Sequence, residues 1–145
     1  MKKIITQIPE IELVYRPKFD PEKCPRVKDS QQAYNLFLHN WNMDKIGLVI
    51  EFKVMLLNSS NRALGIVNIT TGGISSATVD LRLIYAAALK AGAGYIIIAH
   101  NHPSGSTKPS KADIQLNRAI KAGAKLLGIT VFDSLIISQK SYCSY

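Results

Sequence analysis

Between His100 and Asp113 the chain reads HNHPSGSTKPSKAD, the densest run of polar side chains in a sequence otherwise rich in aliphatics. Its two histidines, His100 and His102, stand two residues apart at the end of the apolar run YIIIA. Where extended geometry persists, residues i and i+2 share a face, so both imidazoles point one way and form a pair of nitrogen donors. Asp113 falls in the first turn of the next expected helix, and the proline- and glycine-bearing loop between can fold it back to offer a carboxylate oxygen. Two neutral imidazoles and one carboxylate with an open position are what a catalytic Zn²⁺ needs, and the ion lowers the pKa of its water towards about 7. A second reading stands beside this one. Ser110 to Asp113 is an Asp variant of the capping box, with serine at the N-cap and an acid at N3, which explains both residues without a metal. A histidine pair after a buried strand can likewise be hydrogen-bonded structure. The coincidence of all these parts in one loop favours the metal.

The elements that must position this loop follow from the hydrophobic pattern. IITQIPEIELVYRP alternates apolar and polar residues around Pro9 and reads as an edge strand or an extended arm. A loop with Pro17, Pro21 and Pro25 follows. From Asp29 or Ser30 as N-cap, a helix places Ala33, Leu36, Phe37 and Trp41 on one face. GLVIEFKVMLLN and RALGIVNIT, joined by SSN, form a hairpin. TTGG ends it, and SATVDLRLIYAAALKAG is a helix burying Leu83 and Ala87, with Gly92 near its C-terminus. GYIIIA is apolar throughout, as expected of a strand covered on both sides. A helix from Ser110 to about Leu127 turns Lys111, Gln115, Arg118 and Lys125 to solvent, and ITVFDSLIIS is the last strand. The order βαββαβαβ predicts an α/β chain with a mixed sheet covered by helices. Such sheets place ligands where a strand runs into a loop and a helix, the position of the histidine-rich stretch.

With 145 residues, 47% of them hydrophobic, the chain supports one globular domain with a real core. Eighteen Lys and Arg against ten Asp and Glu give a net charge of +8, which favours anionic partners such as DNA. Cys24 and Cys143 lie far apart without a CxxC pairing, so neither a disulfide framework nor a cysteine zinc site is expected, and both fit free thiols in a reducing cytoplasm. No window approaches the roughly 18 apolar residues of a membrane span, and the start of the chain lacks the apolar core of a signal peptide. The expectation is a cytoplasmic protein with no membrane partner. A zinc deaminase is not expected, because its HxE and PCxxC elements are absent.

The spacing His-x-His-Pro, six residues, Ser-x-x-Asp, supplied by His100, His102, Pro103, Ser110 and Asp113, resembles the signature of JAMM (JAB1/MPN) metallopeptidases. More narrowly, AHNHPSG, KPSKAD and LLGITVFDSLII resemble RadC-type proteins, from about Gly47 to Ser141. The resemblance implies a three-layer α/β/α sandwich of the cytidine-deaminase-like JAB1/MPN kind over residues 45–145, with residues 1–44 as an arm and helix packed on it. It also implies Zn²⁺ on His100, His102 and Asp113, hydrolysis of an amide or isopeptide bond in a protein or peptide, and a link to DNA repair. Ser110 takes the role of oxyanion donor. Glu51 takes that of general base, handling the proton of the attacking water. The residues themselves leave Glu51 open: a carboxylate in so apolar a strand is costly to bury unless paired or functional, yet it also alternates with Lys53 as a solvent-facing pair would. Two departures stand out. Ser134 occupies a position where RadC-type chains often have His, and residues 1–44 are too short and proline-broken for the helix-hairpin-helix region of longer relatives. A non-catalytic, DNA-associated module of RadC type is the competing reading.

Overall fold

The computed structural model describes residues 3–72 and 78–145. Five strands form one sheet: β1 (Glu51–Leu57), β2 (Ala63–Thr71), β3 (Tyr95–Asn101), β4 (Thr130–Ile137) and β5 (Tyr142–Ser144), in the spatial order β2-β1-β3-β4-β5. β1 pairs antiparallel with β2 and β3, β3 parallel with β4, and β4 antiparallel with β5, so the sheet is mixed as expected.

Three helices cover it. α1 (Ser30–His39) is capped by Asp29, whose side chain accepts from Gln32 N. Ala33, Tyr34 and Phe37, with Trp41 beyond the helix end, pack on Met55, Leu57, Ile97, Ala99, Leu135 and Ile137. α2 (Leu81–Lys90) and α3 (Lys111–Leu126) lie on the other face, where Ile84, Ala88, Ile120 and Ala124 meet Phe52, Val54, Leu56, Ile96 and Ile98. This is the three-layer α/β/α sandwich. Strand alternation decides which layer each residue serves: odd residues of β1 and β3 face α1, even ones face α2 and α3.

Several expectations need adjustment. Residues 3–17 take the arm alternative: they run without sheet partners, and Ile4, Ile5, Ile8, Ile11 and Leu13 are exposed. The expected start of the second helix near Ser76 touches residues outside those described; the helix that is described begins at Leu81 behind an Asp80 cap. Its buried stripe is Ile84 and Ala88, whereas Leu83 is 51% exposed, because Leu83 lies about a quarter turn away from that stripe. On α3 the inward polar residue is Asn117, which receives a hydrogen bond from Ser134 Oγ at 2.7 Å, a buried use for the serine that departs from the RadC pattern. Tyr142–Ser144, which carries no legible signal, adds the edge strand β5. β1 begins at Glu51 rather than near Gly47, which brings Glu51 to the end of the sheet where β3 delivers His100. Among the described residues no helix is long and apolar enough to cross a membrane.

Candidate metal centre

The site forms where β3 ends. His100 is the penultimate residue of β3 and His102 lies just beyond it. A turn follows at once: Gly105 N donates to His102 O at 2.8 Å, with Pro103 setting the first corner and Gly105 at φ 85, a left-handed conformation that glycine adopts freely. The loop then reaches Ser110, the N-cap of α3. Ser110 Oγ accepts from Asp113 N at 3.1 Å and Ser110 N donates to Asp113 Oδ2 at 2.9 Å, a complete capping box. The cap and the metal reading are therefore compatible. The reciprocal bonds lock the Asp113 carboxylate over the end of β3, with Oδ1 3.1 Å from His100 Nε2 and Oδ2 3.0 Å from His102 Nε2.

Both imidazoles converge on that carboxylate, as the i, i+2 spacing requires. One ligand atom from each of His100, His102 and Asp113 lies within 4.8 Å of the others. Ligands sharing a tetrahedral zinc with bonds of 2.0–2.1 Å stand roughly 3.3 Å apart, near the 3.0 and 3.1 Å from each imidazole to its own Asp113 oxygen. The second test of fit is His100 itself. It is 5% exposed, yet neither of its ring nitrogens has an aligned hydrogen-bond partner; the 3.1 Å contact to Asp113 Oδ1 is close but misdirected for a hydrogen bond. Buried polar atoms without partners are rare, and a shared cation would satisfy this one. The donor set, two nitrogens and one carboxylate oxygen, suits a divalent ion of zinc's kind.

The electrostatics favour an ionised acid. Burial alone would raise the Asp113 carboxyl, but His100 and the hydrogen bonds from Ser110 outweigh it and hold the group well below the usual carboxylate range. Phe52 stacks on His100 with centroids 5.8 Å apart and planes at 12°, and the Tyr145 ring meets it edge-on at 6.4 Å. Burial, reinforced by the Asp113 charge, pushes the Tyr145 phenol above its ordinary value. A groove of about 420 Å³ opens beside His102, lined by Ile46, Gly47, Pro103, Ser138 and Lys140 among others.

Of the residues singled out in the sequence, the structure brings His100, His102, Ser110 and Asp113 together. It does not bring Glu51 to them. Glu51 is 5% exposed, and its Oε2 lies 3.2 Å from Lys53 Nζ, which sits over the Trp41 ring at 5.1 Å. Trp41 belongs to the α1 layer, the opposite face of the sheet from His100 and Phe52.

Two residues escaped the sequence reading. Asn101, fully buried between the histidines, accepts from Glu51 N at 2.8 Å and donates to Ile46 O and Val49 O at 2.7 and 2.9 Å. It thereby pins the segment that leads into β1 to the end of β3. Its signal was a polar residue inside a buried strand end. Tyr145 had no comparable signal, because its place over His100 depends on the pairing of β5 with β4.

The family model for the RadC-like JAB domain matches residues 27–145. The chain is similar to UPF0758 proteins. One from Porphyromonas gingivalis is 37% identical over 141 residues, covering 94% of this chain and 60% of the relative. One from Flavobacterium johnsoniae is 40% identical over 95 residues, covering 66% and 42%. A third, from Desulfitobacterium hafniense, is 39% identical over 126 residues, covering 86% and 54%. The chain thus spans about half the length of the curated relatives it matches.

Proposed function

The chain belongs to the RadC-like JAB domain family, and from that premise we propose that it is a zinc-dependent hydrolase of JAMM type, acting on an amide or isopeptide bond in a protein or peptide. The observation that carries the reading is the buried imidazole of His100, without an aligned hydrogen bond, converging with His102 on one carboxylate. His100 and His102 would hold the ion through nitrogen and Asp113 through oxygen. A bound Zn²⁺ supplies Lewis acidity and lowers the pKa of water towards about 7.

The remaining work falls to the chain's own residues. The capping box holds the Asp113 carboxylate beside the two imidazoles. Phe52 and Tyr145 shield the His100 ring from solvent and hold its orientation. Ser110 uses only its oxygen as the cap acceptor, which leaves the hydroxyl proton free to donate to the oxyanion that forms as the scissile carbonyl becomes tetrahedral. One such donor is commonly worth about 3 kcal/mol in the transition state. The groove beside His102 offers the approach for an extended substrate.

The test is metal content. Purified protein should carry about one zinc per chain and the Asp113→Ala form almost none; equal and negligible zinc in both would overturn the reading.

A second reading, a DNA-associated module that keeps the fold and the metal without turnover, draws support from the +8 charge and from the seat of Glu51 across the sheet. It requires salt-dependent DNA binding that persists in Glu51→Gln, and absence of binding at low salt would refute it.

A further inference from the structure

We propose that the Glu51 carboxylate does not serve the metal centre, and that Ile50 holds the strand position from which a side chain would. The proposal rests on the zinc reading above. The ladder between β1 and β3 is regular: Phe52 stands opposite His100, Lys53 opposite Ala99, and so on to Leu57 opposite Tyr95. The paired span ends at Phe52 and His100; the same register carried outward one residue at a time on both strands would set Glu51 opposite Asn101, to whose side chain Glu51 N donates, and Ile50 opposite His102. Directly opposed residues share a face, and successive residues alternate. The stacking of Phe52 on His100 fixes which face is which. Ile50 therefore falls on the side of His100 and His102, and Glu51 on the side of Lys53, Met55 and Leu57.

The seat of Glu51 is also occupied by other bonds. Its backbone N–H donates to Asn101 Oδ1 at 2.8 Å, the residue pairs with Thr71 of β2, and its carboxylate meets Lys53 at 3.2 Å. A rotamer change cannot carry a carboxylate through a hydrogen-bonded sheet. Reaching the other face would require turning residue 51 over and breaking both backbone links. The preceding residue keeps the link to the β2 side, since Gly72 N donates to Ile50 O at 2.7 Å, and Ile50 is partly buried. Its side chain can neither accept a proton nor give one back. The chain thus pairs an intact metal-binding triad with an apolar residue at the place where a base would stand, and any hydrolysis must draw its base from the substrate or a partner or proceed slowly.

The experiment is a crystal structure of the protein soaked with zinc chloride, beside that of Ile50→Glu. In the first, Glu51 should remain on Lys53 with no carboxylate oxygen within hydrogen-bond reach of the ion or of its non-protein ligand; a Glu51 oxygen found there overturns the proposal. In the second, the new carboxylate should lie on the side of His100 and His102, and a side chain directed towards Lys53 would overturn it equally. If Ile50→Glu does not fold, the neutral Ile50→Gln gives the same readout. Failure of zinc to bind would defeat the hydrolase reading alone, because the face on which Glu51 lies is decided in the same crystal with or without the ion.

Discussion

Asn101 and His100 are neighbours in sequence, both at most 5% exposed, and they face opposite sides of one strand end. Their hydrogen bonding differs completely. Asn101 places its oxygen on one backbone N–H and its nitrogen on two backbone carbonyls, so the protein uses the amide in full. His100 leaves both ring nitrogens without an aligned partner. A buried polar group that is satisfied by its own chain is structure; one left unsatisfied calls for an explanation, such as a bound water or ion. An orphan atom alone does not define an ion site, however. On the α1 face Trp41 Nε1 and Glu51 Oε1 also lack partners, but the group they surround is the single cation of Lys53, not a second set of convergent donors. His100 is different because His102 and Asp113 arrive with it.

The largest effect should come from filling the unsatisfied side. Zinc at a thousand times its dissociation constant should stabilise the protein by about 4 kcal/mol, provided the unfolded chain does not compete. For a chain of this size that is roughly 8–16 °C in Tm. His100→Ala and Asp113→Ala should show almost no zinc-dependent shift in the same thermal melts. A shift of equal size in both variants would place the ion elsewhere.

Breaking the satisfied side comes next. Asn101→Ala removes three hydrogen bonds, two of them buried and one partly so, and strands two carbonyls and an N–H, a loss of about 3 kcal/mol without any metal present. The measurable result is a Tm lowered by roughly 6–12 °C. His100→Ala in metal-free protein should cost less, since its ring makes no aligned hydrogen bond and gives up only the 3.1 Å contact to Asp113; a metal-free loss as large as that of Asn101→Ala would erase the contrast between the two residues. Lys53→Met should fall between them at about 2 kcal/mol near neutral pH, because it leaves the buried Glu51 carboxylate without its cation. Urea unfolding of Lys53→Met and of the double variant with Glu51→Gln checks this, the second change restoring part of what the first removes.

What was legible in the sequence follows the same divide. The convergence of His100, His102 and Asp113 could be read because its geometry is local: i, i+2 at a strand end, and an acid in the first turn of the helix after a short loop. The layers could be read because wholly apolar strands and amphipathic helices admit few arrangements. The face of Glu51 could not, because GLVIEFKVMLLN is apolar on both sides and carries no period-two signal to say which side is which. Only pairing with β3 sets it, and pairing is a long-range fact. The start of β1 was misplaced for a related reason. Within residues 46–51, Ile46 O, Val49 O and Glu51 N all bond to the side chain of Asn101, fifty residues further on, where propensity alone would continue the strand.

The smallest effect tests whether cap and metal site are separable. Ser110→Ala deletes the oxygen that accepts from Asp113 N, and loss of such an N-cap costs about 1 kcal/mol. It leaves in place the other half of the box, because Ser110 N still donates to Asp113 Oδ2 whatever the side chain at 110. The carboxylate should therefore stay aimed at the two imidazoles, and zinc affinity measured by competition with a chelator should fall less than about tenfold, the lower edge of what losing a ligand's supporting hydrogen bond commonly costs. Any turnover should fall much further, by the roughly 10²–10³-fold expected of a lost oxyanion donor. A variant that loses zinc as completely as Asp113→Ala would show that the hydroxyl, and not the backbone bond, holds the acid in place. The satisfied and unsatisfied halves of the strand end would then not be independent, and the contrast between Asn101 and His100 would have to be redrawn to include the cap.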